Sequence, residues 1–153
     1  MTRTTRVALI GLLLLLALPG CQFVRLKLGI GYDVDIAAPG TPERVIQEAL
    51  KASLEPDAEK GWGEFLNLLH TEQRDKGSLE SWKGLKFREM RKKATNYVTN
   101  VATTGFTVKR IREEDDGNVS YFLYSPKTDM PTPCTVKPDP EQSNAWRITR
   151  CSL

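Results

Sequence analysis

Three cysteines, one histidine and two blocks of like charge are the residues with chemistry to offer in this 153-residue chain. Cys134 and Cys151 stand symmetrically about a turn-rich stretch, residues 138–144, that separates two runs suited to strands. A hairpin centred there sets the two cysteines opposite each other. Opposed Cβ atoms about 4.5–5.5 Å apart need only a small change of twist to be bridged. The enclosed 16 residues form a loop whose closure stabilises a fold by roughly 3 kcal/mol. A redox pair would need the short Cys-x-x-Cys spacing, and a metal site would need further ligands, so the expected role is a structural disulfide. His70, with Glu72 and Asp75 close by in sequence, has the chemistry of an acid–base group, but no Ser or Cys occupies a nucleophile motif. It reads instead as a helix-end histidine beside the negative end of the dipole. Glu113-Glu114-Asp115-Asp116-Gly117-Asn118 lacks the alternating ligands and distal Glu of a calcium loop. Lys83, Lys86, Arg88, Arg91, Lys92 and Lys93 crowd one stretch and would favour anionic headgroups at about 1 kcal/mol per charge. Spread over three turns, they read as a solvated face. No catalytic residue, metal or cofactor is expected.

The first residues carry an address. Arg3 and Arg6 precede twelve uncharged residues, 7–18, among which residues 12–16 are all leucine. A bilayer span needs about 20 apolar residues, so this run has the length of a signal-peptide core. Pro19 and Gly20 end it and Cys21 follows. Leu18-Pro19-Gly20-Cys21 resembles the lipobox of bacterial lipoproteins. That resemblance implies a diacylglyceryl group on the Cys21 thiol and cleavage before Cys21. Several acyl chains together anchor a protein stably where one does not. Gln22, where enterobacterial lipoproteins retained at the inner membrane tend to carry Asp, resembles the outer-membrane class, with the domain facing the periplasm. Loss of residues 1–20 removes Arg3 and Arg6 and leaves 20 basic against 19 acidic side chains. Nothing in that balance argues for a nucleic-acid partner. It leaves Cys134 and Cys151 as an even pair in an oxidising compartment.

The elements follow from pattern. Residues 1–20 read as the signal peptide, 21–40 as the lipidated cysteine and a tether, and 41–153 as one domain. Within the tether, Phe23 to Ile30 partly alternate in polarity, so a spacer and an edge strand are both open readings. Thr41-Pro42-Glu43 has the cap, the first-turn Pro and the acid of a helix start. Trp62, Phe65, Leu66 and Leu69 mark a second helix, weakened by Gly61 and Gly63. A third runs from about Ser78 to about Asn100 on a stripe of Phe87, Met90, Ala94, Tyr97, Val98 and Val101. Residues 106–114 and 118–125 read as a hairpin about an Asp-Gly-Asn turn, with a bulge near Lys109-Arg110 needed to return Ile111 to the face of Phe106 and Val108. Residues 132–137 and 145–151 form the second hairpin.

Helices followed by strands predict an α+β fold: three N-terminal helices on a curved, cone-like antiparallel four-stranded meander, with one disulfide. Thr41-Pro42-Glu43, Trp62-x-x-Phe65-Leu66 and Asn144-Ala145-Trp146-Arg147-Ile148 resemble features of small lipoproteins with the nuclear-transport-factor-2-like fold. That fold hosts enzymes, binders and scaffolds alike. The expected function is a non-catalytic protein-interaction or structural module, held to the membrane by lipid and meeting an envelope protein not identified by sequence. The alternative is a small-ligand or lipid binder with an apolar pocket in the cone. Trp62, Phe65, Phe87, Met90 and Tyr97 line that pocket in one case and form the core in the other.

Overall fold

The cap read at Thr41 opens the first helix of the computed structural model, which describes residues 31–153. Cys21 and the lipobox lie outside the described residues. The Thr41 hydroxyl accepts the Arg44 amide at 3.3 Å and opens α1 (Pro42–Leu54). Val45, Ile46, Ala49 and Leu50 form its buried stripe, and α1 packs on α2, α4 and β6 as defined below. Asp57 accepts the amides of Glu59 and Lys60 and caps α2 (Ala58–Leu66). Asp75 caps α3 (Lys76–Ser81). The chain then passes through a π-turn, Trp82–Lys86, directly into α4 (Phe87–Lys93) and a 3-10 turn at Ala94–Asn96.

The strands are β1 (Tyr32–Val34), β2 (Val98–Asn100), β3 (Gly105–Glu113), β4 (Val119–Leu123), β5 (Thr132–Asp139) and β6 (Ala145–Cys151). They form one sheet in the order β1-β3-β4-β5-β6, all antiparallel, with β2 also pairing β3. The register places Val34 on Phe106, Val108 on Leu123, Tyr121 on Cys134 and Val136 on Ile148. All of these are buried, so one face of the sheet carries the core and the helices cover it. A register shift between Val108 and Arg110 marks the expected bulge. Ile111 accordingly packs on the core.

The expectation of three N-terminal helices on a four-stranded meander is corrected in two ways. First, a strand precedes the helices, because Tyr32–Val34, inside the segment 21–40 read as a tether, pairs with β3. Three residues are too few for a period of two to stand out. Second, the sheet has six strands. The sixth is β2, which lies where the third helix was expected to continue. Tyr97, Val98 and Val101 fit helical spacing, but helix ends at Lys93 and Val98 pairs with Phe106. Tertiary pairing has overridden local periodicity there. Residues 32–153 supply a continuous core, the sheet and the disulfide.

The two glycines of α2 differ in their surroundings. A Cβ at Gly61 would stand 2.5 Å from the Ala52 carbonyl oxygen, whereas one at Gly63 would meet nothing within 4 Å. Gly61 is therefore what lets α2 approach α1. Gly63→Ala is expected to stabilise the domain by about 0.5–1 kcal/mol through helix propensity. Gly61→Ala is expected to destabilise it by roughly 1–3 kcal/mol, since a backbone carbonyl is in the way. Thermal melts of the two variants check this, and equal shifts of the same sign would refute the close approach. Cys134 and Cys151 are register partners joined by a disulfide, 17 residues apart in sequence. Cys134→Ser/Cys151→Ser is expected to cost roughly 3 kcal/mol in denaturant unfolding; an unchanged midpoint would show that the link contributes nothing.

Candidate functional site

The five side chains read as pocket or core meet inside the domain. Phe65 is the hub, with ring centres at 4.9 Å to Phe87, 5.5 Å to Trp82 and 6.1 Å to Trp62. Trp62 and Phe87 lie 5.6 Å apart. Phe65, Phe87, Met90 and Tyr97 are buried and Trp62 is half-buried. The Tyr97 hydroxyl meets that of Thr132 at 2.8 Å. These side chains pack within one apolar core cluster. Trp82, absent from the expected stripe, is fully buried beside them and donates its Nε1–H to Gln73 at 3.2 Å. Tyr32 on β1 and Tyr121 on β4 have their hydroxyl pKa values raised, chiefly by burial and then by the Glu43 carboxylate, and stay neutral. Tyr32 donates its hydroxyl to Glu43 at 2.9 Å.

His70 is bonded to the backbone around it, and its Nδ1 also lies 3.7 Å from the Glu72 carboxylate. It follows α2 in an extended stretch, where Leu69 bridges Ile148 and the His70 amide donates to the Ile148 carbonyl at 2.9 Å. Its Nδ1 accepts the Glu72 amide at 3.2 Å and its Nε2 lies 3.4 Å from the Pro138 carbonyl oxygen. The proton therefore belongs on Nε2. Asp75 is occupied as the cap of α3. The adjacent Thr71 amide and hydroxyl donate to Asp139 at 2.9 and 2.8 Å. His70 and Thr71 thus clamp the loop after α2 onto β5 and β6.

The acidic turn, residues 113–118, is likewise engaged. Glu114 accepts from Ser120 at 2.7 Å and pairs with Arg112 at 3.1 Å and Arg150 at 3.4 Å. Asp116 accepts from the Asn118 amide at 3.1 Å. Among the described residues no group of three or more His, Cys, Asp or Glu is arranged to hold a metal ion.

A groove of about 460 Å3 runs between the π-turn with α4 and the end of β6, lined by Leu85, Lys86, Glu89, Lys93 and residues 150–153. Its size falls in the range of small-ligand sites. Cys151 and Leu153 are buried at its base, and Leu85 is 56% exposed at its edge. Lys86, Lys93 and Arg150 supply three cations. The one acidic side chain, Glu89, is held by Lys92 at 2.7 Å, which keeps its carboxyl below the usual carboxylate range. The sequence offered no way to join Arg150 to Lys86 and Lys93, because they meet only when β6 lies beside α4.

No family model, curated protein or solved structure matches this chain.

Asp139 provides the clearest pH signature. Burial pushes its pKa up, but bonds from the Thr71 hydroxyl and amide, from Gln142 and from the Glu141 amide outweigh that and hold it at about 2. A depressed carboxylate stabilises the fold fully above its unfolded pKa and loses that contribution as pH falls through the folded value. Stability is therefore expected to drop between about pH 4 and about pH 2. Asp139→Asn should be less stable at pH 7 and show a shallower acid limb in thermal melts. Parallel acid limbs would remove Asp139 as their source.

Proposed function

We propose that the chain is a lipid-anchored lipoprotein of the cell envelope whose domain is a non-catalytic module for binding or assembly. The lipobox residues Leu18-Pro19-Gly20-Cys21 support the anchor. The observation that carries the reading is the short distance from Cys21 to a self-contained domain: β1 starts at Tyr32, eleven residues on. An acylated Cys21 would hold the domain beside a bilayer without a spanning helix. Gln22 after the cysteine favours the outer membrane and a domain facing the periplasm. Within the domain, the close packing of the buried aromatic rings weighs against a ligand cavity among them. It favours recognition at the surface, by an envelope protein or by the membrane itself.

Expression in a bacterial host followed by intact-mass spectrometry is expected to show a protein beginning at Cys21 and carrying a diacylglyceryl adduct. Cys21→Ser is expected to leave the detergent-rich phase on phase partitioning. A free thiol at residue 21 of the wild-type chain would overturn the anchor. Crosslinking in intact envelopes then identifies the neighbour.

A further inference from the structure

The six cations between residues 83 and 93 look equivalent in sequence, and the fold sorts them. Lys83 pairs with Glu59 at 2.7 Å and Lys92 with Glu89 at 2.7 Å. Arg91 donates to the backbone carbonyls of Glu55 at 2.6 Å and Pro56 at 3.3 Å. Lys86, Arg88 and Lys93 have no carboxylate partner among the described residues; Lys86 and Lys93, but not Arg88, line the groove with Arg150, and the Lys86 ammonium lies 4.4 Å from the centre of the Trp82 ring. Arg150 also reaches both oxygens of the Glu114 carboxylate at 3.4 Å.

The π-turn sets an apolar residue beside these charges. In an α-helix Leu85, three residues after the buried Trp82, would share its inward face. Here the Phe87 amide bonds the Trp82 carbonyl, five residues back. Phe87 takes the inward place, and residues 83–86 are all exposed. Such single-turn π insertions are rare and occur often at functional sites. The groove therefore presents a protruding Leu85 next to three cations, above a base of Cys151 and Leu153.

We propose that this groove is the face the domain sets on an anionic phospholipid surface, with Lys86, Lys93 and Arg150 against headgroup phosphates and Leu85 among the first acyl methylenes. The proposal rests on the lipid-anchored reading for its setting: residues 22–30 could span at most about 30 Å, so an acylated Cys21 keeps the domain at a bilayer. Charge complementarity selects the face. The processed chain carries 20 basic against 19 acidic side chains, so its overall charge attracts a membrane only weakly, and orientation falls to local clusters. The acidic turn at residues 113–118, reached through Glu114 and Arg150, opposes contact on that flank.

The test uses residues 21–153 with Cys21→Ser, so that no acyl chain contributes, in flotation with vesicles of phosphatidylcholine alone or with 30% phosphatidylglycerol. Binding is expected to the phosphatidylglycerol vesicles only, and to weaken as salt rises. Lys86→Gln/Lys93→Gln is expected to weaken partition about thirtyfold. Leu85→Ser should weaken it about tenfold with no change in charge. Lys51→Gln/Lys127→Gln, which removes the same charge elsewhere, should change it less than threefold, as a rough bound. Circular dichroism melts check that each variant is folded. Absence of phosphatidylglycerol-dependent binding, or equal losses in the two lysine pairs, overturns the proposal. Since Cys21 is absent as a thiol here, its acylation in the wild-type chain stands or falls separately by mass spectrometry.

Discussion

The last strand has to be held in place for the domain to close. β6 is a terminal strand of the sheet order, and chain ends fray unless tied down. Three ties act on it. The Cys134–Cys151 disulfide joins it to β5 at the register position of the two cysteines. Leu69 bridges Ile148 on its other edge, where the Ile148 amide donates to the Leu68 carbonyl at 2.7 Å. Leu153, two residues past the disulfide, is buried. With β6 fixed, α1 has a surface to pack on, and the groove beside α4 has a base. Asp139, which receives Thr71 and Gln142, holds the β5–β6 turn and the loop after α2 against each other.

On the helical side the equivalent constraint is close packing. Gly61 allows α2 to reach the Ala52 carbonyl, and Phe65 then lies among Trp62, Trp82 and Phe87. The π-turn follows from the same demand. Two large aromatic side chains, Trp82 and Phe87, are both buried although five residues apart, a spacing that a regular α-helix does not place on one face. Widening one turn satisfies both, and Leu85 is displaced to the surface. Core packing thus produces the exposed residue of the groove, and the cations around it acquire a direction.

Parts of this arrangement were legible before any coordinates. The cap Thr41 acts within one turn of the residue that it satisfies, so type and position suffice to read it, whereas the third helix opens at Asp75, three residues before the start that the pattern at Ser78 suggested. The second hairpin was legible because its turn residues lie between two strand-like runs, and its centre paired the cysteines. The bulge near Lys109 was legible because Phe106, Val108 and Ile111 cannot share a face without it. By contrast, β1 has only three residues and β2 carries side chains whose spacing also suits a helix. Both exist because β3 offers them hydrogen bonds. The two glycines of α2 had the same sequence signal and opposite surroundings.

For the candidate site, the sequence by itself determined an inventory: a cysteine after an apolar leader, a pair of cysteines matched across a turn, an aromatic stripe and a crowd of cations. Those are local facts, set by residue type and spacing over a few residues. Only the tertiary structure decided that the aromatic rings pack on one another in the core and that Lys83, Arg91 and Lys92 are engaged by other groups. It alone turned Leu85 outward and brought Arg150 to Lys86 and Lys93. The reason is physical: which ionic groups are paired, and which apolar ones are covered, depends on segments far apart in the chain, and these meet only when β6 closes the sheet against α1 and α4.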